Sequence, residues 1–492
     1  MHPRVLLVCR EHVGHWVPFY VAAFKAAADT LTIGPPLDHG GLRQARRELL
    51  AAELLPNDIV CESGHLPDLI GQVPADWEPD LVVALQSSLP PLTGAAEAPC
   101  PTAYISIDTW HDHAEFGVAR QFDHVFVAQP AFVPYFQATG ARHVQWLPLA
   151  AAPSRHFPVD FEPIADVAFV GAVHFAANIP RYLRLQALGR RFRLIVQTAL
   201  TAEQASGVYA QAHLAFNASI SREVNMRVFE VLAMRRPLVM NRDAEVNGLF
   251  ELFGDDQHLI TYRGDDDLLE VVQRALDDPA RCAGVAQAGW REVLARHTYD
   301  HRIATLLDAV ALPQRLADAP PGSLVARLPH RPGRVLDVGC RLERSKVALR
   351  HAGATRVDGV VARDEQAAQH ARRYDSVSAW PETSGPPYDT VVCGAPPAFG
   401  RDLVALLDWA CAQLGAGGTL LLRLSPDDVA HLAPGRDAGY WAAWAAEHGF
   451  HQVGHALPEA DRPWHDLTLR RYTRSDEDVS AEIYARFPVP KP

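Results

Sequence analysis

Short apolar runs with no polar alternation recur along the first part of the chain: Val5 to Cys9, Leu81 to Leu85, Thr102 to Ile107, His124 to Ala128 and Val144 to Leu147. Helical or loop stretches separate them. A strand without a polar face is buried on both sides, so runs of this kind alternating with helices indicate a parallel sheet covered by helices. The rhythm restarts at Asp166 to Val170 and continues through Arg193 to Gln197, Leu214 to Asn217 and Pro237 to Asn241, closing in a helical region from Asp267 to about Leu312. It restarts again at Arg334 to Cys340. At 492 residues the chain is too long for one core and fits about three domains of ~150 residues each.

Within the second series, Asn225 to Ala233 carries the most chemistry. A helix entered near Asn225 places Met226, Phe229, Leu232 and Ala233 on a buried stripe and Arg227 and Glu230 one turn apart on another face. The free N–H groups of a helix start, the donor fork of Arg227 and the acceptor Glu230 together suit a nucleotide-sugar, with its diphosphate at the helix start and its ribose at the carboxylate. The same residues also read as an ordinary amphipathic helix with a solvated i, i+3 Arg–Glu pair.

The flanking motifs are Asp166-Val167-Ala168-Phe169-Val170-Gly171, Phe216-Asn217-Ala218-Ser219, Arg227-Val228-Phe229-Glu230 and Arg296 to Arg302, preceded by Phe122 to Gln129 and Val144 to Ala150. In this order they resemble glycosyltransferases of the GT-B type, specifically the CgeB-like (spore maturation) family, well over residues 100 to 312 and loosely before that. The resemblance implies two Rossmann-like domains facing each other across a cleft: residues 1–158 on the acceptor side and 159–312 binding a nucleotide-sugar donor. It implies a metal-independent mechanism, in which helix dipole, backbone amides and basic side chains offset the charge on the leaving diphosphate. Asn225 and Arg227 suit that role, and Gly171 allows close backbone approach to a phosphate. Arg181 is either a second phosphate partner or a solvated surface arginine. Glu230 is the donor-ribose residue by resemblance. Many retaining members carry a second glutamate eight positions earlier, where this chain has Arg222, with Glu223 out of step.

Residues 313–322, with Pro320-Pro321-Gly322, read as a linker. Residues 323–474 are similar to an S-adenosylmethionine-dependent methyltransferase through Arg334 to Cys340, Tyr388 to Cys393 and Leu414 to Leu422. The usual glycine-rich turn is replaced by Arg341-Leu342-Glu343-Arg344, and Val361 stands where an acidic residue normally takes the ribose hydroxyls. These two departures predict a degenerate domain that does not bind S-adenosylmethionine. The whole is then an α/β chain of two Rossmann-like domains in a GT-B arrangement plus a third of methyltransferase type. Residues 475–492 read as a tail, packed on a neighbour through Tyr484 and Phe487.

The acceptor base is sought in loops at the carboxyl ends of first-domain strands. His15, in Arg10 to Trp16, is placed to take a proton near neutral pH, with His12 as alternate, and both also read as surface histidines. Asp108, in Ile107-Asp108-Thr109-Trp110-His111-Asp112-His113, is either a base or the orienter of an adjacent histidine. Asp108, His111, Asp112 and His113 also have ligand chemistry, but their side chains radiate apart on any regular backbone, so no metal is expected.

A net charge of −12 without a long Lys/Arg run argues against nucleic acid or an anionic membrane as partner. No apolar run reaches membrane-span length and no signal peptide is evident. The seven scattered cysteines form neither a metal site nor a disulfide framework, which fits a reducing cytoplasm. The expected reaction is transfer of a sugar from a nucleotide-sugar to a hydroxyl of a glycan precursor, protein or small molecule, by a monomer or homo-oligomer. A bifunctional glycosyltransferase and methyltransferase and a non-catalytic binding scaffold are the competing readings.

Overall fold

The computed structural model describes residues 3–11, 16–36, 55–85, 91–109, 113–173, 178–198, 200–310, 324–340, 342, 349–350, 353–362, 370, 374–382, 385, 387–394, 403–424, 438–456 and 465–487. His12, His15, His111, Asp112, Arg341, Glu343, Arg344 and the linker 313–322 lie outside them.

The first sheet comprises β1 (Arg4–Val8), β2 (Asp29–Gly34), β3 (Ile59–Val60), β4 (Leu81–Leu85), β5 (Thr102–Ser106), β6 (His124–Val127) and β7 (Val144–Trp146). All pairs are parallel, in the order β3-β2-β1-β4-β5-β6-β7. Strand order reverses between β1 and β4, the topological switch point at which doubly wound sheets open a crevice. The sequence pattern misses β2 because Thr30 and Thr32 interrupt its apolar face. Both are buried, and their hydroxyls are satisfied by Phe24 O at 3.1 Å and Asp58 Oδ2 at 2.9 Å.

The second sheet contains β8 (Ala165–Val170), β9 (Leu194–Gln197), β10 (Ala212–Asn217), β11 (Leu238–Asn241) and β12 (Ile260–Tyr262), parallel in the order β12-β11-β10-β8-β9. Its switch point lies between β8 and β10. One buried cluster joins the two sheets: Tyr20 and Phe24 on helix Trp16–Ala27, Ile303 and Leu306 on helix Tyr299–Val310, and Val228 and Phe229 on helix Met226–Ala233. These helices hold the two switch points in one body.

The third sheet orders β13 (Gly333–Val338), β14 (Ala354–Val361), β15 (Ser376–Ala379), β16 (Tyr388–Cys393), β17 (Leu414–Leu424), β18 (Phe450–Ala456) and β19 (His465–Arg471) as β15-β14-β13-β16-β17-β19-β18. Strand β19 runs antiparallel to both neighbours. Past it the chain does not trail away as a tail. Residues Asp476–Arg486 form a helix whose Val479 and Ile483, followed by Phe487, join Phe116, Phe132 and Phe136 on the outer face of the first sheet. Tyr484 packs against His113, with ring centroids 4.3 Å apart and the rings tilted by 41°. The apolar residues thus pack on the chain's own first domain. No helix among the described residues is long and apolar enough to cross a membrane, and all seven cysteines are free.

Candidate functional site

The richest constellation sits at the carboxyl ends of β8 and β10, where the second sheet switches direction. Helix Met226–Ala233 starts there. Asn225 has the extended geometry of an N-cap (φ −78°, ψ 169°) but makes no capping bond through its side chain, so the first amides are not covered by it. Its amide instead meets Asn217, whose Nδ2 donates to Asn225 Oδ1 at 3.1 Å. The helix is capped at Met234 and stopped by Arg235, a non-glycine residue in the left-handed region (φ 56°), two residues before Pro237. Its buried face is wider than helical spacing alone suggests, including Val228 and Val231, while Met226 is only half-buried.

Arg227 and Glu230 do not pair with each other. Arg227 Nε donates to Val170 O at 2.7 Å and Nη1 to Asn217 Oδ1 at 2.8 Å, so one guanidinium ties the end of β8 to the end of β10. It lies 4.7 Å from the Phe169 ring centroid. The closeness expected of Gly171 has this cause: a Cβ there would come within 2.1 Å of Arg227 Nη2. The glycine admits the guanidinium.

Arg181 is no solvated surface residue. It is 5 % exposed, and its Nε and Nη2 donate to Ala218 O at 2.9 and 2.6 Å while Nη1 reaches Ala172 O at 3.3 Å. Burial, and then the charge of Arg227, push its pKa down to about 10, so it stays cationic at neutral pH. Two guanidiniums therefore share the Phe169 ring and clamp the loops after β8 and β10. Such a place favours an anion.

Glu230 is half-buried, with Oε1 3.4 Å from Nε2 of His156. His156 lies in the segment joining the two domains and packs edge-on against Phe19 of the first, with centroids 5.1 Å apart. Burial lowers its pKa while Glu230 pulls the other way. Glu223, out of step for a donor contact, is buried and accepts the Ile220 and Ser221 amides, shaping the loop before the helix. That loop is tied to the first domain by Gln129, which accepts from Val224 N at 3.0 Å and donates to Val224 O at 3.3 Å. Sequence reasoning gave no role to Gln129, His156 or Asn217. A side-chain amide at the end of β10 and another two residues past β6 were the available signal for Asn217 and Gln129.

On the first-domain side, Asp108 is exposed just past the carboxyl end of β5. Beneath it, Ser106 Oγ lies 2.5 Å from Thr109 Oγ1 and donates to Glu115 Oε1 at 3.0 Å; Tyr104 OH reaches Glu115 Oε2 at 3.3 Å. This buried network, also missed in the sequence, fixes the backbone that carries Asp108. His113 turns toward Tyr484, and among the described residues no three His, Cys, Asp or Glu side chains are arranged to hold a metal.

In the third sheet, the described residues past the ends of β13 and β14 pack into its core. Leu342 is buried with Val361 and Tyr374; its amide donates to Asp337 Oδ2 at 2.7 Å, and Tyr374 OH lies 2.5 Å from the same oxygen. A Cβ on Gly359 would meet Cys340 Sγ at 2.6 Å and the Tyr374 ring at 3.1 Å.

A comparison with curated proteins gives no match. Among solved structures, the chain is similar to sucrose-phosphate synthase from Thermosynechococcus elongatus, at 13 % identity over 62 % of this chain and 98 % of that one, with a TM-score of 0.43. It is similar to Anabaena HepE in complex with UDP-glucose, at 14 % identity over 63 % and 100 % of the two chains, with a TM-score of 0.44. A third is the α,α-trehalose 6-phosphate synthase of Burkholderia multivorans, at 10 % identity over 63 % and 99 %, with a TM-score of 0.42. Residues 166–308 match the family model described as glycosyl transferase-like, so the stretch holding Gly171, Arg181, Asn225, Arg227 and Glu230 is a glycosyl transferase-like domain.

Proposed function

We propose that this chain is a cytoplasmic, CgeB-like glycosyltransferase that moves a sugar from a nucleotide-sugar to an acceptor hydroxyl without a metal. One observation carries the reading: Arg227 bridges β8 and β10 at the switch point, beside the open helix start and above buried Arg181, within the glycosyl transferase-like segment. Charge developing on the leaving diphosphate meets donors already in place, so no reorganisation is needed as the bond breaks. Glu230, one turn along the helix, takes the donor ribose. Acceptor activation falls to His15 or Asp108 in the first-domain loops, with His12 as alternate.

The third unit, residues 323–474, is in this proposal a methyltransferase-like fold without the chemistry, serving as a structural or acceptor-recruiting module. Leu342 and Val361, buried with Tyr374 in the core at the ends of β13 and β14, support that reading over the bifunctional one. The direct test is slow hydrolysis of nucleotide-sugars by the intact protein without acceptor, preceded by a thermal-shift panel of UDP, GDP, dTDP and CMP. Stabilisation by one nucleotide together with release of its free sugar is expected. Binding without any turnover would favour the scaffold, and absence of both overturns the proposal.

A further inference from the structure

The third sheet docks on the first domain through a seam of buried cations. Arg470 on β19 stands opposite Thr419 on β17 and opposite His451 on β18, so the three side chains share one face. The first domain presses Arg142 onto that face: Nη1 donates to Thr419 Oγ1 at 3.4 Å and Nη2 to Arg331 O at 3.1 Å. Arg470 is 2 % exposed, yet its Nε and Nη1 are buried without a hydrogen-bond partner among the described residues, as are Nε2 of His451 and both ring nitrogens of His124.

The charges do not cancel. Arg120, Arg142, Arg331 and Arg470 act on this seam, against Asp123, Asp389 and Asp476. Asp123 accepts from Thr102 and from His330 N, Asp389 from Arg334 N, and Asp476 pairs with Arg120 through Oδ2 while its Oδ1 is buried without a partner among the described residues. The histidines add nothing at neutral pH. His143 and His451 are held down to about 4 and His124 to about 2, by burial first and then by neighbouring His or Arg. Buried donors without acceptors, next to an excess positive charge, call for a bound acceptor.

We propose that a small inorganic anion, chloride or a tetrahedral oxyanion, is held between Arg470, His451 and Arg142 and fastens the third unit to the first domain. Water alone would satisfy donors but leave the charge. The site is independent of the donor site and of the transfer reaction.

Thermal unfolding of the full-length protein tests it, with gluconate replaced by chloride in one arm and by phosphate in the other at constant ionic strength. A saturable rise in Tm in either arm is expected and identifies which anion fits. The rise should persist in Arg227→Ala, which separates it from phosphate at the donor site, and vanish in Arg470→Met. Should Arg470→Met not fold, His451→Phe provides the same readout, with apparent affinity about tenfold weaker for one lost charge-assisted bond. No anion-specific rise in the wild type, or an equal rise in Arg470→Met or His451→Phe, would overturn the proposal.

Discussion

At the scale of single residues, the proposed donor site rests on arginines whose donors point inward. That Arg227 and Glu230 lie off the buried face was legible from helical spacing, and their proposed role rests on the affinity of helix starts and arginines for anions. Arg181 could be named as a candidate, but its burial was not legible. Nothing local distinguishes it from a surface arginine, and only the Ala172 and Ala218 carbonyls, brought together by strand order, explain its burial. Glu230→Ala should weaken nucleotide binding about ten- to hundredfold, the loss of one hydrogen bond to a charged group. The fold should be retained, since Glu230 lies off the buried face. Asp108→Ala and His15→Ala should behave differently: turnover falls by about 10²- to 10⁴-fold in whichever variant removes the base, with nucleotide affinity unchanged. Wild-type turnover in both variants places the base elsewhere.

Among the elements, the long apolar strands of the first two sheets were read directly, whereas β2, β3 and β12 were missed. Two are only two and three residues long, and β2 buries threonines whose hydroxyls find partners only after folding. The C-terminal helix was misread for another reason. Val479, Ile483 and Phe487 recur at four-residue spacing, a helical stripe legible in the sequence, but its destination on the first domain is a long-range contact. Ile483→Ala should cost about 2 to 5 kcal/mol, since the side chain is fully buried. Chemical denaturation monitored on the intact protein checks this. A cost below about 0.5 kcal/mol, typical of a surface change, would show that the helix is not docked.

For the whole molecule, three sheets could be counted from the restarts of apolar rhythm, but the seam joining the third to the first could not. Its histidines share no motif and meet only through tertiary packing. They give the assembly a pH dependence with a definite sign. His124, His143 and His451 protonate near 6.5 when unfolded and far lower when folded. The unfolded chain therefore binds more protons between those values, and stability complete above pH ~6.5 declines as pH falls toward 4. Urea midpoints between pH 7.5 and 5 should fall, and His124→Phe should flatten the trend; a flat wild-type profile would contradict the buried, neutral histidines. Leu342 and Val361, buried at the ends of β13 and β14, predict no heat on titration with S-adenosylmethionine, and micromolar binding would restore the bifunctional reading. The central claim, a donor nucleotide bound where β8 and β10 diverge, is tested most directly by calorimetric titration of UDP, GDP, dTDP and CMP into wild type and Arg227→Ala with EDTA present. Binding of one nucleotide in roughly the micromolar range, weakened about ten- to hundredfold in the variant, is the result predicted. Equal affinity in the two proteins, or no binding by any of the four, would contradict it.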